Sequence, residues 1–80
     1  MSWFVYIIET SDSSLYTGIT TDLERRFKQH ASGVGAKYFQ GRRPIKFVYT
    51  ENAKNRSDAS RREAQIKKLT REQKLQLLTS

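Results

Sequence analysis

Phe4–His30, FVYIIETSDSSLYTGITTDLERRFKQH, is the stretch whose reading decides the architecture. With the residue before it, it opens as Trp3–Glu9 (WFVYIIE), almost continuously apolar and rich in aromatic and β-branched side chains. That pattern predicts a strand buried on both faces, and therefore central in its sheet. Tyr6 is the one residue in its middle with a polar tip. Residues 11–14, all Ser and Asp, supply a turn. Leu15–Ile19 then returns as the second strand of a β-hairpin. Gly18 interrupts that strand, which predicts a bulge or another group lying close against the backbone. Thr21-Asp22-Leu23-Glu24 reads as a capping box with Thr21 as the cap. It opens a helix in which Leu23, Phe27 and Ala31 share a face and which Gly33 ends. Arg26 and His30, four residues apart, are neighbours at the edge of this apolar stripe, while Arg25, Lys28 and Gln29 face solvent.

Downstream, Gly33–Pro44 (GVGAKYFQGRRP) holds three of the four glycines and the only proline. It carries Lys37, Arg42 and Arg43 with Tyr38 and Phe39 between them, cations and aromatics interleaved as phosphate contact plus base stacking requires. Phe39 is expected to pack on the sheet. Ile45–Glu51 (IKFVYTE) alternates as a third strand with Ile45, Phe47 and Tyr49 on one face. Asn52–Arg56 reads as a loop, and Ser57 as the cap of a second helix, SDASRREAQIKKL, with Asp58 in its first turn. The stripe of that helix runs Ala59, Glu63, Ile66 and then Leu69 or Thr70. Thr70-Arg71-Glu72-Gln73 is a second capping box and starts a short terminal helix expected to bury Leu75 and Leu78. There is no internal repeat and no low-complexity segment.

Eighty residues suit one domain, spanning 1–80, with a small core. Hydrophobic content of 36% is enough for a thin sheet covered by two or three helices. A formal net charge of +7 favours an anionic polymer, usually nucleic acid, as partner, although solubility alone also accounts for a basic surface. The absence of cysteine excludes disulfides and cysteine-ligated zinc, and fits a reducing compartment. No apolar run approaches the ~20 residues of a membrane helix. Met-Ser-Trp-Phe lacks the basic start of a signal peptide. A soluble, cytoplasmic protein without membrane contact is the expectation.

Glu63 is the anomaly. It occupies a helix slot where periodicity calls for an apolar residue, and a carboxylate there is costly unless paired, metal-bound or partly solvated. One reading is an ion pair with Arg62, Lys67 or a distant arginine; the other is a ligand for a hard metal, with water and a substrate phosphate completing the shell. Arg26 is either a solvated helix cation or a bidentate phosphate clamp. His30 alone suits a partly buried structural role. Tyr6 and Tyr16 are ordinary strand aromatics unless their hydroxyls move protons, and a free phenol titrates near ~10. A tyrosine acting as base needs that value lowered by Arg26, Lys37 or a metal-held hydroxide.

Taken as an ordered set, these residues carry a resemblance. Phe4-Val5-Tyr6, then Tyr16-Thr17-Gly18, Arg26 and His30 on the next helix, and Glu63 on a later one, resemble the GIY-YIG nuclease domain, in particular its small stand-alone members. The resemblance extends over nearly the whole chain, including GRRPIKFVY and RREAQIKKL. Phe4 stands in place of the first motif's glycine, and Thr17 is the middle residue of the second; both tyrosines and Gly18 are retained.

The resemblance implies an α+β fold, a three-stranded antiparallel sheet flanked by helices in the order β-β-α-β-α-α. It also implies endonucleolytic hydrolysis of a nucleic-acid phosphodiester, DNA being expected, in a repair-related role. By position, Tyr6, Tyr16, Arg26, His30 and Glu63 are the implied catalytic residues, with Glu63 holding Mg²⁺ or Mn²⁺. Lys37 matches a loop lysine near the site in some members. Lys37, Arg42, Arg43 and Arg25 are the candidate nucleic-acid contacts, and Gly18 is a structural element of the motif. Larger members use extra domains to choose DNA, which this chain lacks, so a protein partner could supply specificity; a monomer is expected. Two competitors stand beside the enzyme: a non-catalytic nucleic-acid-binding module, and a basic protein-interaction adaptor in which Glu63 is a structural ion pair.

Overall fold

The structure is a computed structural model and describes residues 2–33, 37–39 and 41–79. Three antiparallel strands, β1 (Trp3–Thr10), β2 (Leu15–Thr20) and β3 (Pro44–Ala53), form a sheet in the order β2-β1-β3. Helix α1 (Leu23–Ala31) follows the hairpin, and α2 (Arg56–Lys67) and α3 (Arg71–Thr79) follow β3. The α+β fold and element order are those read from the sequence. β1 is central, and Val5, Tyr6, Ile7 and Ile8 are all fully buried because both its faces are covered.

The alternation of β1 divides the core in two. Val5 and Ile7 pack with Ala59 and Ile66 of α2, and with Leu77 and Leu78 of α3. Tyr6 and Ile8 point to the opposite face and pack with Phe39, Tyr16, Phe47 and the α1 residues Leu23 and Phe27. Phe39 is therefore a packing residue, as expected. Truncating a core aliphatic such as Ile7 to Ala would cost about 2–5 kcal/mol.

Several local expectations need correction. The face Ile45–Phe47–Tyr49 is broken: Ile7 pairs with Tyr49 but Ile8 pairs with Phe47, so Val48 is an extra residue in a bulge. Phe47 and Tyr49 consequently serve opposite faces, and Ile45 is exposed. β3 runs on to Ala53, taking in Asn52, which the sequence placed in a loop. The caps are also shifted. Asp22, not Thr21, caps α1, its carboxylate accepting from the Arg25 amide at 3.0 Å. Asn55, not Ser57, caps α2, its side chain accepting from the Asp58 amide at 2.8 Å. In each case the side chain that reaches the third amide of the helix is the cap.

Elsewhere Thr70 and Gln73 exchange the reciprocal bonds of a capping box, as predicted. Leu77, rather than the exposed Leu75, joins Leu78 in the core. Ala31 is exposed too, and His30 completes the buried stripe of α1 with Leu23 and Phe27. Gly33, at φ 81°, takes up the left-handed conformation just beyond the helix end, its amide donating to His30 O.

The β1–β2 turn is tied to the segment before β3. Asp12 accepts from the hydroxyls of Thr10 and Ser14 and pairs with Arg42 at 2.6 Å, while Ser11 exchanges hydrogen bonds with the Arg43 backbone. On the other side, Arg62 pairs with Glu51 at 2.7 Å and Tyr49 donates to the same carboxylate, joining α2 to β3. Among the described residues no helix is long and apolar enough to cross a membrane.

Candidate active site

Tyr6 and Gly18 are directly opposed in the β1–β2 register. The Tyr6 ring lies across Gly18 so closely that a Cβ built there would sit 2.6 Å from the ring carbon Cζ, with the hydroxyl oxygen nearer still. The second of the two sequence readings of Gly18 holds: another group approaches the backbone. Phe47 packs edge-on against the same ring, at 5.5 Å between centroids. The phenol is thereby fixed, fully buried, with its hydroxyl 2.9 Å from His30 Nε2.

His30 arrives on α1 as part of the buried stripe and is 1% exposed. Its ring stacks on Phe39 at 4.1 Å and meets the edge of Tyr16 at 5.4 Å. Tyr16 itself lies 6.3 Å from Tyr6 and 5.0 Å from Tyr38. Three aromatic rings therefore surround the imidazole.

Burial, assisted by the nearby Arg26 charge, holds the His30 pKa down at about 4, so the ring is neutral at neutral pH. Burial pushes the Tyr6 phenol up to about 12; Arg26 pulls it down, and Tyr16 and Glu63 add to the rise. In the free protein the sum is upward, opposite to the lowering that a tyrosine base was expected to need. The proton accordingly stays on the Tyr6 oxygen, and this hydroxyl shares its hydrogen bond with Nε2, the tautomer of the ring setting which of the two donates. The other ring nitrogen, Nδ1, is buried without a hydrogen-bond partner.

Arg26 stands one helical turn before His30. A terminal guanidinium nitrogen donates to Gln29 Oε1 at 3.1 Å, whereas its Nε is buried and unpartnered. A buried unsatisfied N–H is costly, and an anion brought to it would remove that cost. Glu63 comes from α2. Of the pairing candidates read from the sequence, Arg62 is committed to Glu51, and Lys67 is the one that pairs with Glu63, at 3.5 Å. Lys67 also approaches the Tyr16 ring, 6.0 Å from its centroid. Glu63 retains 23% side-chain exposure, so it is partly solvated.

Three of the five expected residues, Tyr6, Tyr16 and His30, are in ring or hydrogen-bond contact, and the other two, Arg26 and Glu63, are near enough for their charges to reach the Tyr6 hydroxyl. Lys67 is the addition that sequence reasoning treated only as an ion-pair candidate; its spacing of four from Glu63 was the available signal.

The expected nucleic-acid contacts are less uniform. Arg42 is occupied by Asp12, by the Tyr38 carbonyl at 3.2 Å and by the Tyr38 ring at 4.3 Å, so it braces the loop. Lys37, Arg25 and Arg43 are exposed, and their side chains make no hydrogen bond or ion pair among the described residues. Residues 34–36 and 40 of the same basic loop lie outside the described residues.

Among the described residues no group of three or more His, Cys, Asp or Glu side chains is placed to hold a metal ion. The donor set fits one kind of resident ion: a hard divalent cation held by the single carboxylate of Glu63, with water and substrate oxygens completing its shell.

A hairpin that pins a tyrosine under a glycine, with an arginine and histidine on the next helix and a glutamate on a later one, is characteristic of a known class. The model of the GIY-YIG catalytic domain matches residues 2–76, and the chain belongs to that family. It is 56% identical over 77 residues to a UPF0213 protein of Clostridium perfringens, covering 96% of this chain and 83% of the relative. It is 49% identical to UPF0213 protein YhbQ of Escherichia coli K12, over 95% of this chain and 76% of the relative. The solution NMR structure of the UPF0213 protein BH0048 from Bacillus halodurans superposes with a TM-score of 0.63 at 48% identity, covering 99% of this chain and 84% of that one. The solution NMR structure of EF2693 from E. faecalis gives 0.67 at 44% identity, with the same coverage of 99% and 84%. Domains of this family are in general endonuclease domains that typically use divalent metal ions. Membership therefore implies nuclease chemistry on a nucleic acid.

Proposed function

We propose that the chain is a divalent-metal-dependent endonuclease that hydrolyses a phosphodiester bond of DNA. The observation that carries this reading is the buried Tyr6 hydroxyl. It is hydrogen-bonded at 2.9 Å to a neutral His30 and feels a cation, Arg26, and a carboxylate, Glu63.

The phenol and imidazole work as one proton-handling unit. As water attacks phosphorus, its proton passes to the Tyr6 oxygen while the phenol proton moves to His30 Nε2. The new O–P bond forms as the bond to the leaving 3′ oxygen breaks, and that oxygen leaves as a hydroxyl after protonation from solvent. Tyr16, edge-on to His30, walls the imidazole from bulk water and presents the second hydroxyl. Arg26 clamps the phosphate, its unpartnered Nε gaining an acceptor as charge grows on the equatorial oxygens. Glu63 is the residue that would hold Mg²⁺ or Mn²⁺, and the chemistry supplied there is Lewis-acid polarisation of the phosphate and stabilisation of the leaving oxygen. Gly18 keeps the unit in place by leaving room for the ring. Lys37, Arg25 and Arg43 extend the cationic surface on which the backbone of the substrate lies.

The test is incubation with labelled single-stranded, duplex and branched DNA, and with RNA, in Mg²⁺, Mn²⁺ or EDTA, with a Glu63→Ala sample alongside. Products that need the metal and vanish with Glu63→Ala support the reading. Cleavage by Glu63→Ala at the parent rate refutes it, and binding without products on every substrate replaces it by a binding module.

A further inference from the structure

Beside Arg26 a recess of about 300 Å³ opens, lined by Trp3, Ile19, Thr20, Thr21, Arg26 and Arg56. It runs round the edge strand β2. Ile19 belongs to the face covered by α2, and Thr20, paired with Phe4, to the face carrying Tyr6. Its lining includes two arginines and no acidic residue. Arg42, Arg61 and Arg62 all have acidic partners, at 2.6, 3.4 and 2.7 Å. Arg56 has none, and its side chain makes no hydrogen bond among the described residues. Its guanidinium carbon stands 5.9 Å from the centroid of the Trp3 ring, at the outer limit of a cation–π contact. Trp3 packs partly against the core and leaves the rest of its indole in the recess. Arg56 also lies seven residues, about two turns or ~10 Å of helix axis, from Glu63 on α2.

A cation without a partner, an aromatic face and two hydroxyls beside the phosphate clamp are the components of a nucleotide site. We propose that this recess takes the nucleotide next to the scissile phosphate. Arg56 binds its flanking phosphate, and its base lies against Trp3. The assignment to the neighbouring nucleotide rests on the nuclease reading of Arg26; the binding site itself does not. A base inside a duplex offers only its edges to a protein, so the base on Trp3 is unpaired. The substrate is therefore a single strand, or the unpaired arm of a branched one, at this position.

Trp3 is the sole tryptophan, so its fluorescence reports the recess directly. The experiment titrates the whole chain, in EDTA to prevent turnover, with a single-stranded DNA oligonucleotide and with a closed duplex of the same sequence. The single strand is expected to quench Trp3, and the duplex to leave it unchanged. Arg56→Gln is expected to weaken single-strand binding roughly tenfold. It should also make the slope of log K against log salt shallower by about 0.7, and Arg56→Lys should restore that slope. Arg61→Gln removes the same charge from the solvent side of α2 and should change the affinity less than about twofold. Equal quenching by the duplex, or equal losses for Arg56→Gln and Arg61→Gln, overturns the subsite. The two readings separate cleanly. Arg56-dependent quenching without cleavage keeps the subsite and discards the nuclease. Metal-dependent cleavage without quenching does the reverse.

Discussion

Gly18→Ala is the most informative single substitution, because the structure says what the added methyl meets. The Cβ would stand 2.6 Å from Tyr6 Cζ, and Tyr6 is fully buried between Phe47, Tyr16 and His30, so the ring has nowhere to swing. The φ of Gly18 lies outside the left-handed region, so the cost is steric and not conformational. Overpacking of this kind costs about 1–3 kcal/mol. Displacing the ring also strains the 2.9 Å Tyr6–His30 hydrogen bond, whose loss adds about 0.5–1.5 kcal/mol. Against this, alanine in a strand recovers about 0.5–1 kcal/mol of backbone entropy. The net is a destabilisation of about 2 kcal/mol, or roughly 8–16 °C in Tm for a domain of this size. Because the same oxygen is the proposed proton acceptor, a shift approaching 1 Å should cost ~100-fold in kcat even where the variant is folded. Thermal unfolding and cleavage are measured together, in the parent and in a Tyr6→Phe background. Removing the hydroxyl should recover only part of the stability, since Cζ is itself in the way. A Gly18→Ala protein with parental Tm and turnover would refute the placement of Tyr6 over Gly18.

The remaining predictions concern His30, a cap and the basic loop. His30 has its pKa lowered from 6.5 to about 4, so between those values the unfolded chain binds more protons, and stability falls as pH drops from about 6.5 towards 4. The loss is on the order of 3 kcal/mol; urea midpoints against pH should show it and His30→Gln should flatten it, whereas an unchanged slope in the variant assigns it elsewhere. Asp12 does not confuse this window, because Arg42 and the Ser14 and Thr10 hydroxyls hold its carboxyl well below the usual range and its contribution is lost only at lower pH. Asn55→Ala should cost about 1 kcal/mol and Ser57→Ala less than about 0.5, an order reversed if the cap lay at Ser57. Arg42→Ala should lower Tm by releasing Asp12 and Tyr38, while Arg43→Ala should leave Tm alone and flatten the salt dependence of DNA binding by about one unit; equal effects on both measurements would show that the two arginines share one role.

What could be read in the sequence and what could not divide along a physical line. A strand buried on both faces has no polar alternation to hide it, so WFVYIIE announced both β1 and its central place. Features set by a single residue's reach were less legible. Thr21 and Asp22 can each cap a helix, as can Asn55 and Ser57, and composition does not say whose oxygen meets the third amide. The bulge at Val48 leaves the alternation of β3 looking intact while it exchanges the faces of its aromatics. The same exchange places Phe47 against Tyr6 and so helps to build the site. His30 is the instructive case. At 3.6 residues per turn, positions 23, 27 and 30 share a stripe as well as 23, 27 and 31 do, and a histidine reads as polar only while its surroundings are unknown. Once Phe39 and Tyr16 cover it, the ring is neutral and shares a hydrogen bond with Tyr6. The anomaly at Glu63 was visible because periodicity marked the slot, but its partner was not, since Arg62 and Lys67 were both within reach. Glu51 decides the choice by taking Arg62, and a residue 12 positions away on another element leaves the carboxylate with a single, half-exposed lysine as its partner.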